Sequence, residues 1–365
     1  MGGPTHYRSA AGCRLTTTEG VELVDFTMAL GAVALGYADP EVTEAVVSAA
    51  RNGSIAGLPH TLEVTVAEQI QAAAPMAEQT RFLKSGAEAV AAAVRIARAH
   101  TGRDHVLSCG YFGWLDWSSD AAGVPPATAA MCTRIPFGEI GATRDAAARV
   151  RNDLAAIVIE PVIEHMAPVE WLQALRELCD GYGAVLIADE IKTGFRVHPS
   201  GALELQGIRP DLVVFGKALA NGYPLAAVAG SGSVMQAAQR TWISSTLACE
   251  TTALAAASAV LARHSSEDVC GMLAASGTAM RAAVERALAA SGATGVRLEG
   301  IAPMWFLRFE SDSREANVLS RARESGVLLK RGAYNFPSLA HDDASLTALE
   351  QALTAAFAAG EGPDA

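Results

Sequence analysis

The sequence predicts an α/β protein, with a mostly parallel sheet between helices and a second, smaller α+β domain. Three observations carry that prediction. Short apolar, β-branched runs alternate with helical stretches from about residue 81 to residue 229, the order that builds a parallel sheet covered on both faces. The runs are apolar throughout rather than alternating, as in Ala184-Val185-Leu186-Ile187-Ala188 and Leu212-Val213-Val214-Phe215. Strands buried on both faces read this way. From about residue 248 the pattern changes to long alanine-rich helices with few strands.

In chain order, residues 1–45 read as irregular, with short strands at 13–18 and 22–26. Apolar residues at helical spacing predict helices over 62–74 and 86–101. Strands follow at 81–84, 105–109, 155–160, 185–189, 212–216 and 226–229, with helices in the gaps, clearly so over 169–182. Helices over 248–263 and 267–290 then lead to a strand at 304–309, a helix at 313–325 and a last helix after 342. The expected division is a large domain over 46–247 and a small domain made of 1–45 with 248–365.

Half of the 365 residues are hydrophobic and 18% are charged, so the chain can bury a large core. A net charge of −11, with no basic block to offset it, argues against nucleic acid or an anionic membrane as a main partner. The alanine-rich stretches carry arginines and are too short and polar to span a bilayer. Cys13, Cys109, Cys132, Cys179, Cys249 and Cys270 show no CxxC pairing. Free thiols in a reducing cytosol are therefore expected rather than disulfides or a metal cage. The N-terminus shows no charged segment followed by an apolar stretch, hence no signal peptide, and a cytoplasmic location is expected.

Chemistry concentrates at the C-terminal ends of the predicted strands, where ligands bind in open α/β sheets. Lys217, one of four lysines beside 24 arginines, ends one apolar run; Asp189 ends another and Glu160 a third. Acid, acid and amine delivered to one sheet edge are hard to explain as packing, because charged side chains are rarely buried without partners. An amine in an apolar setting sheds its proton more easily and can form a Schiff base with an aldehyde. A neighbouring carboxylate is what a pyridinium nitrogen requires, if that aldehyde is pyridoxal phosphate. Ser85-Gly86-Ala87 lies between a strand and a helix, where free N–H groups suit a phosphate. A serine followed by glycine is equally an ordinary helix cap. Tyr111-Phe112-Gly113-Trp114 places aromatic rings above the same edge, for stacking or for core packing.

With these motifs in this order, the chain resembles the class III, fold-type-I pyridoxal-phosphate enzymes, nearest to the glutamate-1-semialdehyde aminomutase-like branch. The resemblance runs from about Thr16 to the C-terminus. It rests on Leu35-Gly36-Tyr37-Ala38-Asp39-Pro40, Ser85-Gly86, Thr101-Gly102-Arg103-Asp104, Tyr111-Phe112-Gly113 and Glu160-Pro161. Asp189-Glu190-Ile191-Lys192-Thr193-Gly194-Phe195-Arg196, Pro210 through Lys217, Ser245-Thr246-Leu247 and Ser338-Leu339-Ala340-His341 complete it. It implies a seven-stranded-type sheet and the cofactor pyridoxal 5'-phosphate, with Lys217 forming the aldimine and then moving the proton. Asp189 would pair with the pyridinium N–H, and Ile191 and Tyr111 would cover the two ring faces. Ser85 with the Gly86 and Ala87 amides would hold the phosphate, and Glu160 would lie near the substrate end of the ring. Thr246 would reach the phosphate of a neighbouring subunit, implying a homodimer with shared active sites.

The departures from the family are informative. Ala87 replaces a usual hydroxyl. Lys192 stands where many relatives have a glutamine able to bond the ring's phenolic oxygen; it either takes that task or points to solvent, and solvent is expected. Phe112 replaces a histidine and is expected to dry the pocket. The aminomutase's N-terminal carboxylate-binding arginine has no counterpart, and Arg8 lies elsewhere relative to the Thr18-Glu19-Gly20 turn. These features favour an aminotransferase, with an amino donor and a carbonyl acceptor, in specialised metabolism and without the usual α-carboxylate on the substrate. The alternatives are a glutamate-1-semialdehyde-type aminomutase and a non-catalytic pyridoxal-phosphate-binding protein. A nicotinamide dehydrogenase is set aside because no GxGxxG follows the early strands. Candidate substrate-pocket residues are His60, Trp114, Glu164, His165, Arg196, Arg331 and Asn335.

Overall fold

The structure is a computed structural model that describes residues 6–358. The described residues form two compact units, one of residues 44–267 and the other of residues 6–43 with 268–358. The larger unit is built on a seven-stranded sheet. In chain order its strands are β1 (Gln79–Leu83), β2 (His105–Cys109), β3 (Cys132–Arg134), β4 (Leu154–Ile159), β5 (Val185–Asp189), β6 (Leu212–Phe215) and β7 (Ala226–Gly230). Their spatial order is β1-β7-β6-β5-β4-β2-β3. The five strands from β6 to β3 are parallel, and β7 runs antiparallel to both of its neighbours.

Every residue of β2, β4, β5, β6 and β7 is buried, which is why β4, β6, β7 and β5 up to Asp189 read as unbroken apolar runs. Strand β3 escaped the sequence reading because it is three residues long, partly exposed, and lacks an apolar run. Four helices of this unit matter for the site: α1 (Thr61–Ala73), α2 (Gly86–Thr101), α3 (Val169–Tyr182) and α4 (Thr251–Ser266). Helix α2 packs one alanine- and valine-rich face into the core formed with β2, β4, β5, β6 and β7. Small side chains let the helix lie close to the sheet, and its left-handed Gly102 ends it. Helix α4 packs along α1 within the larger unit, whereas the division expected from sequence gave it to the small domain.

The smaller unit joins two pieces of chain remote in sequence. A sheet of Tyr7–Ala11, Arg14–Thr17, Glu22–Asp25 and Val327–Leu328 closes with a parallel pairing of the last two strands. Beside it lie the hairpin Val296–Ile301 with Met304–Phe309 and the helices Val269–Ser291, Asp312–Glu324 and Asp343–Ala358. Asp25, 1% exposed, anchors the N-terminal piece. It accepts hydrogen bonds from the Thr27 amide and the Tyr37 hydroxyl. The His341 ring reaches its carbonyl from the C-terminal piece and packs against Phe26 at 4.8 Å. The helix Pro40–Arg51 was not foreseen; Asp39, whose Oδ1 accepts from the Glu41 and Val42 amides, starts it.

Candidate active site

Because β2, β4, β5 and β6 are parallel neighbours, the residues that follow them emerge at one edge of the sheet. Glu160 follows β4, Asp189 is the last residue of β5, and Lys217 comes one glycine after β6. The Tyr111 turn follows β2 across Gly110. Gly110 has φ +137, and a side chain there would meet the Glu160 carboxylate within 3.0 Å. Only glycine lets this turn fold over the acid.

Glu160 is buried and uses both oxygens. Oε1 accepts from the Tyr111 amide at 2.7 Å, and Oε2 meets Lys192 Nζ at 2.5 Å. Lys192 therefore does not point to solvent as expected from sequence. Its side chain is only 13% exposed, because the turn after β5 folds it inward toward a carboxylate that would otherwise be buried with one oxygen unmatched. Asp189 is also buried. Its Oδ1 accepts from the Ile191 amide at 3.0 Å, and its Oδ2 has no hydrogen-bond partner among the described residues. Burial first, and then the charge of Glu160, hold the Asp189 carboxyl well above the usual range, against the Ile191 amide, Lys217 and Lys192.

Lys217 opens a short 3₁₀ turn with φ +47, a left-handed conformation uncommon for a residue with a side chain. Such strain is retained where the surroundings fix it, and functional sites collect it. Its Nζ makes no hydrogen bond or ion pair among the described residues. Burial lowers the basicity of this amine, and Lys192 and Arg196 lower it further, while Asp189 and Glu160 oppose them. A half-buried amine of reduced basicity, unengaged among the described residues, is suited to attack a carbonyl.

Ile191 links this group to helix α2: its Cδ1 lies 2.6 Å from where a Cβ on Gly86 would stand. At the start of α2 the Gly86 and Ala87 amides have no partner among the described residues. Ser85 caps the helix, and its amide and hydroxyl both donate to Glu88 Oε2 at 2.9 Å. This reciprocal cap was legible as Ser-x-x-Glu, and Glu88 is a residue that the sequence reading missed. Tyr111 is 75% exposed, whereas Phe112 is buried against Trp117, ring centroids 5.6 Å apart. Phe112 is thus part of the core under the turn rather than a wall that dries the pocket. Glu190, beside Asp189, is fully buried and structural. It accepts the Ala202 and Leu203 amides and the Thr193 hydroxyl.

Thr246 lies on the exposed segment 244–247, next to Trp242, which is 91% exposed. His60 caps α1 through Nδ1, and Trp114 is exposed. Glu164 occupies the left-handed turn before His165, whose ring meets Phe137 edge-on at 5.3 Å. Arg196 is fully buried. Arg331 and Asn335 belong to the smaller unit, where Arg331 faces Glu315 at 3.6 Å and Asn335 accepts from the Lys330 amide. A cavity of about 510 Å³ beside β1 has Glu63, Arg81 and Cys249 in its wall and includes none of the residues around Lys217. Among the described residues no group of acids, histidines and cysteines could hold a metal ion. No helix among them is long and apolar enough to cross a membrane.

A family model for class-III aminotransferases matches residues 3–114 and 134–357. The glutamate-1-semialdehyde 2,1-aminomutase of Myxococcus xanthus strain DK1622 is 36% identical over 256 residues, 64% of this chain and 59% of that protein. The chain thus spans about three fifths of that relative's length. The 3-aminobutyryl-CoA aminotransferase of Cloacimonas acidaminovorans strain Evry is 30% identical over 329 residues, 88% of this chain and 79% of that protein. Among solved structures, the PLP internal aldimine form of the Sphingopyxis sp. MTA144 FumI protein superposes with a TM-score of 0.93 at 28% identity. That match covers 97% of this chain and 88% of the other.

Proposed function

The chain belongs to the class-III aminotransferase family, and we propose that it is an aminotransferase dependent on pyridoxal 5'-phosphate. It moves an amino group from an amine donor to a carbonyl acceptor in two half-reactions, as a ping-pong cycle. The observation that carries this reading is that adjacent parallel strands bring to one sheet edge a half-buried amine, Lys217, and a buried carboxylate, Asp189, whose second oxygen has no hydrogen-bond partner among the described residues. The residues present fit the cofactor. Two unengaged amides open the 16-residue helix α2, and Gly86 leaves room that a Cβ would close against Ile191.

Gly86, Ala87 and Ser85 would hold the phosphate, using free N–H groups and the positive end of the helix. Asp189 would pair with the protonated ring nitrogen, which supplies the positive charge that its environment lacks. Ile191 and Tyr111 would cover the ring, and Glu160 would stand beside it. Lys217 would hold the aldehyde and carry the proton between substrate atoms. When bound, the cofactor supplies an electron sink for negative charge at the substrate carbon. The exposed Thr246 segment supports a homodimer in which this threonine reaches the partner's phosphate. Six free cysteines support a cytoplasmic protein.

Single amino donors added to the cofactor-loaded protein without an acceptor are expected to bleach the visible band and release the matching oxo product. A band that no donor changes would overturn the transaminase reading. It would favour intramolecular amino transfer, which the 36% identity with an aminomutase supports as the second reading. The phosphate placement has its own test. Glu88→Gln keeps the hydrogen bonds of the cap but removes a negative charge from the same helix start. Cofactor affinity, measured by equilibrium dialysis, is expected to rise about fivefold, with ~0.5 kcal/mol lost from stability. Unchanged or weaker binding would place the phosphate elsewhere.

A further inference from the structure

The Lys192–Glu160 pair lies beside the two groups that the reading above makes functional. Lys192 lies three residues beyond Asp189, in the turn after β5, and Glu160 at the end of adjacent β4. Their side chains are 13% and 12% exposed, with 2.5 Å between Nζ and Oε2. A buried ion pair is weak evidence of stabilisation, since desolvation offsets most of the attraction. Its position can still matter. Glu160 without Lys192 would be a second buried carboxylate near Asp189, able to draw a proton onto Lys217.

We propose that Lys192 is a positioning residue for the Lys217 amine. By binding Glu160 it fixes that carboxylate on the Tyr111 amide and offsets its negative charge at the sheet edge from which Lys217 also emerges. The inference rests on the reading of Lys217 as the reactive amine. The charged groups that act on Lys217 are Asp189 and Lys192 from β5 and its turn, Glu160 just after β4, and Arg196 from the segment beyond. Lys192 and Glu160 carry opposite charges, so deleting Lys192 removes a positive charge that acts on Lys217 and deleting Glu160 removes a negative one. The two deletions must therefore move Lys217 in opposite directions. A purely structural ion pair would move it in neither direction, or in the same direction for both.

The test uses the full chain without added cofactor. Labelling of Lys217 by acetic anhydride, followed peptide by peptide by mass spectrometry from pH 6 to 11, reports the fraction of free amine. Lys192→Met is expected to raise the midpoint by about one pH unit, a tenfold gain in proton affinity. Glu160→Gln is expected to lower it, and Lys192→Arg to restore the parent value. Should Lys192→Met fail to fold, the Glu160→Gln shift and the Lys192→Arg value decide. Midpoints equal to the parent's within 0.3 units, or shifts of one sign, would overturn the proposal. Because labelling needs no cofactor, its outcome is separate from that of the transaminase reading, which falls if pyridoxal phosphate gives no visible band in the parent protein.

Discussion

Replacing Lys217 by alanine is expected to leave a folded protein with no visible cofactor band and turnover lowered by at least ~10³-fold. The magnitude follows from losing the attacking amine and the proton carrier together, since proton transfer by a positioned group alone contributes about 10²- to 10⁴-fold. The fold should tolerate the change. Among the described residues Lys217 makes no ion pair or hydrogen bond whose loss would strand a partner, and alanine meets the left-handed φ of +47 with the same strain as lysine. A stability change within about 1 kcal/mol is expected, ~2–4 °C in melting temperature. An active Lys217→Ala protein would sink the mechanism.

Asp189→Asn is expected to retain cofactor but to lower turnover by about 10²- to 10⁴-fold, because a neutral amide cannot hold a proton on the ring nitrogen. The Ile191 hydrogen bond to Oδ1 survives in the variant, so the turn keeps its shape. The cofactor-free protein offers a second readout. The Asp189 carboxyl is raised by burial and by Glu160, so across the window from the ordinary value of about 4 up to the raised one the folded state binds more protons than the unfolded state. Stability falls with rising pH wherever that holds. Asparagine removes the term, so the gap in urea midpoint between variant and parent should widen in the variant's favour from pH 4 toward pH 8. A gap independent of pH would show that Asp189 is ionised at little cost.

Much of the candidate site was legible because its residues sit at strand ends. Asp189, Glu160 and Lys217 each terminate an apolar run, and parallel strands place such ends together. The Ser85 turn was legible both as a cap and as an anion site, and the structure contains the cap, with Glu88 completing it. What escaped the sequence were features without an apolar run or a local rule. Strand β3 is short and half-exposed. Phe112 reads identically as a pocket wall or as core, and only its packing on Trp117 separates the two. A family pattern with glutamine said nothing about where a lysine at position 192 would turn.

The sequence by itself determined the α/β class, most of the sheet and the three charged residues at its edge, because these follow from periodicity and from the cost of burying unpaired charge. Only the tertiary structure decided which partner each charge takes. Glu160 and Lys192 are 32 positions apart in sequence and meet at 2.5 Å, and Lys217 is left without a partner among the described residues. Pairing of that kind depends on the register of neighbouring strands and on the turns that follow them. No local pattern encodes it.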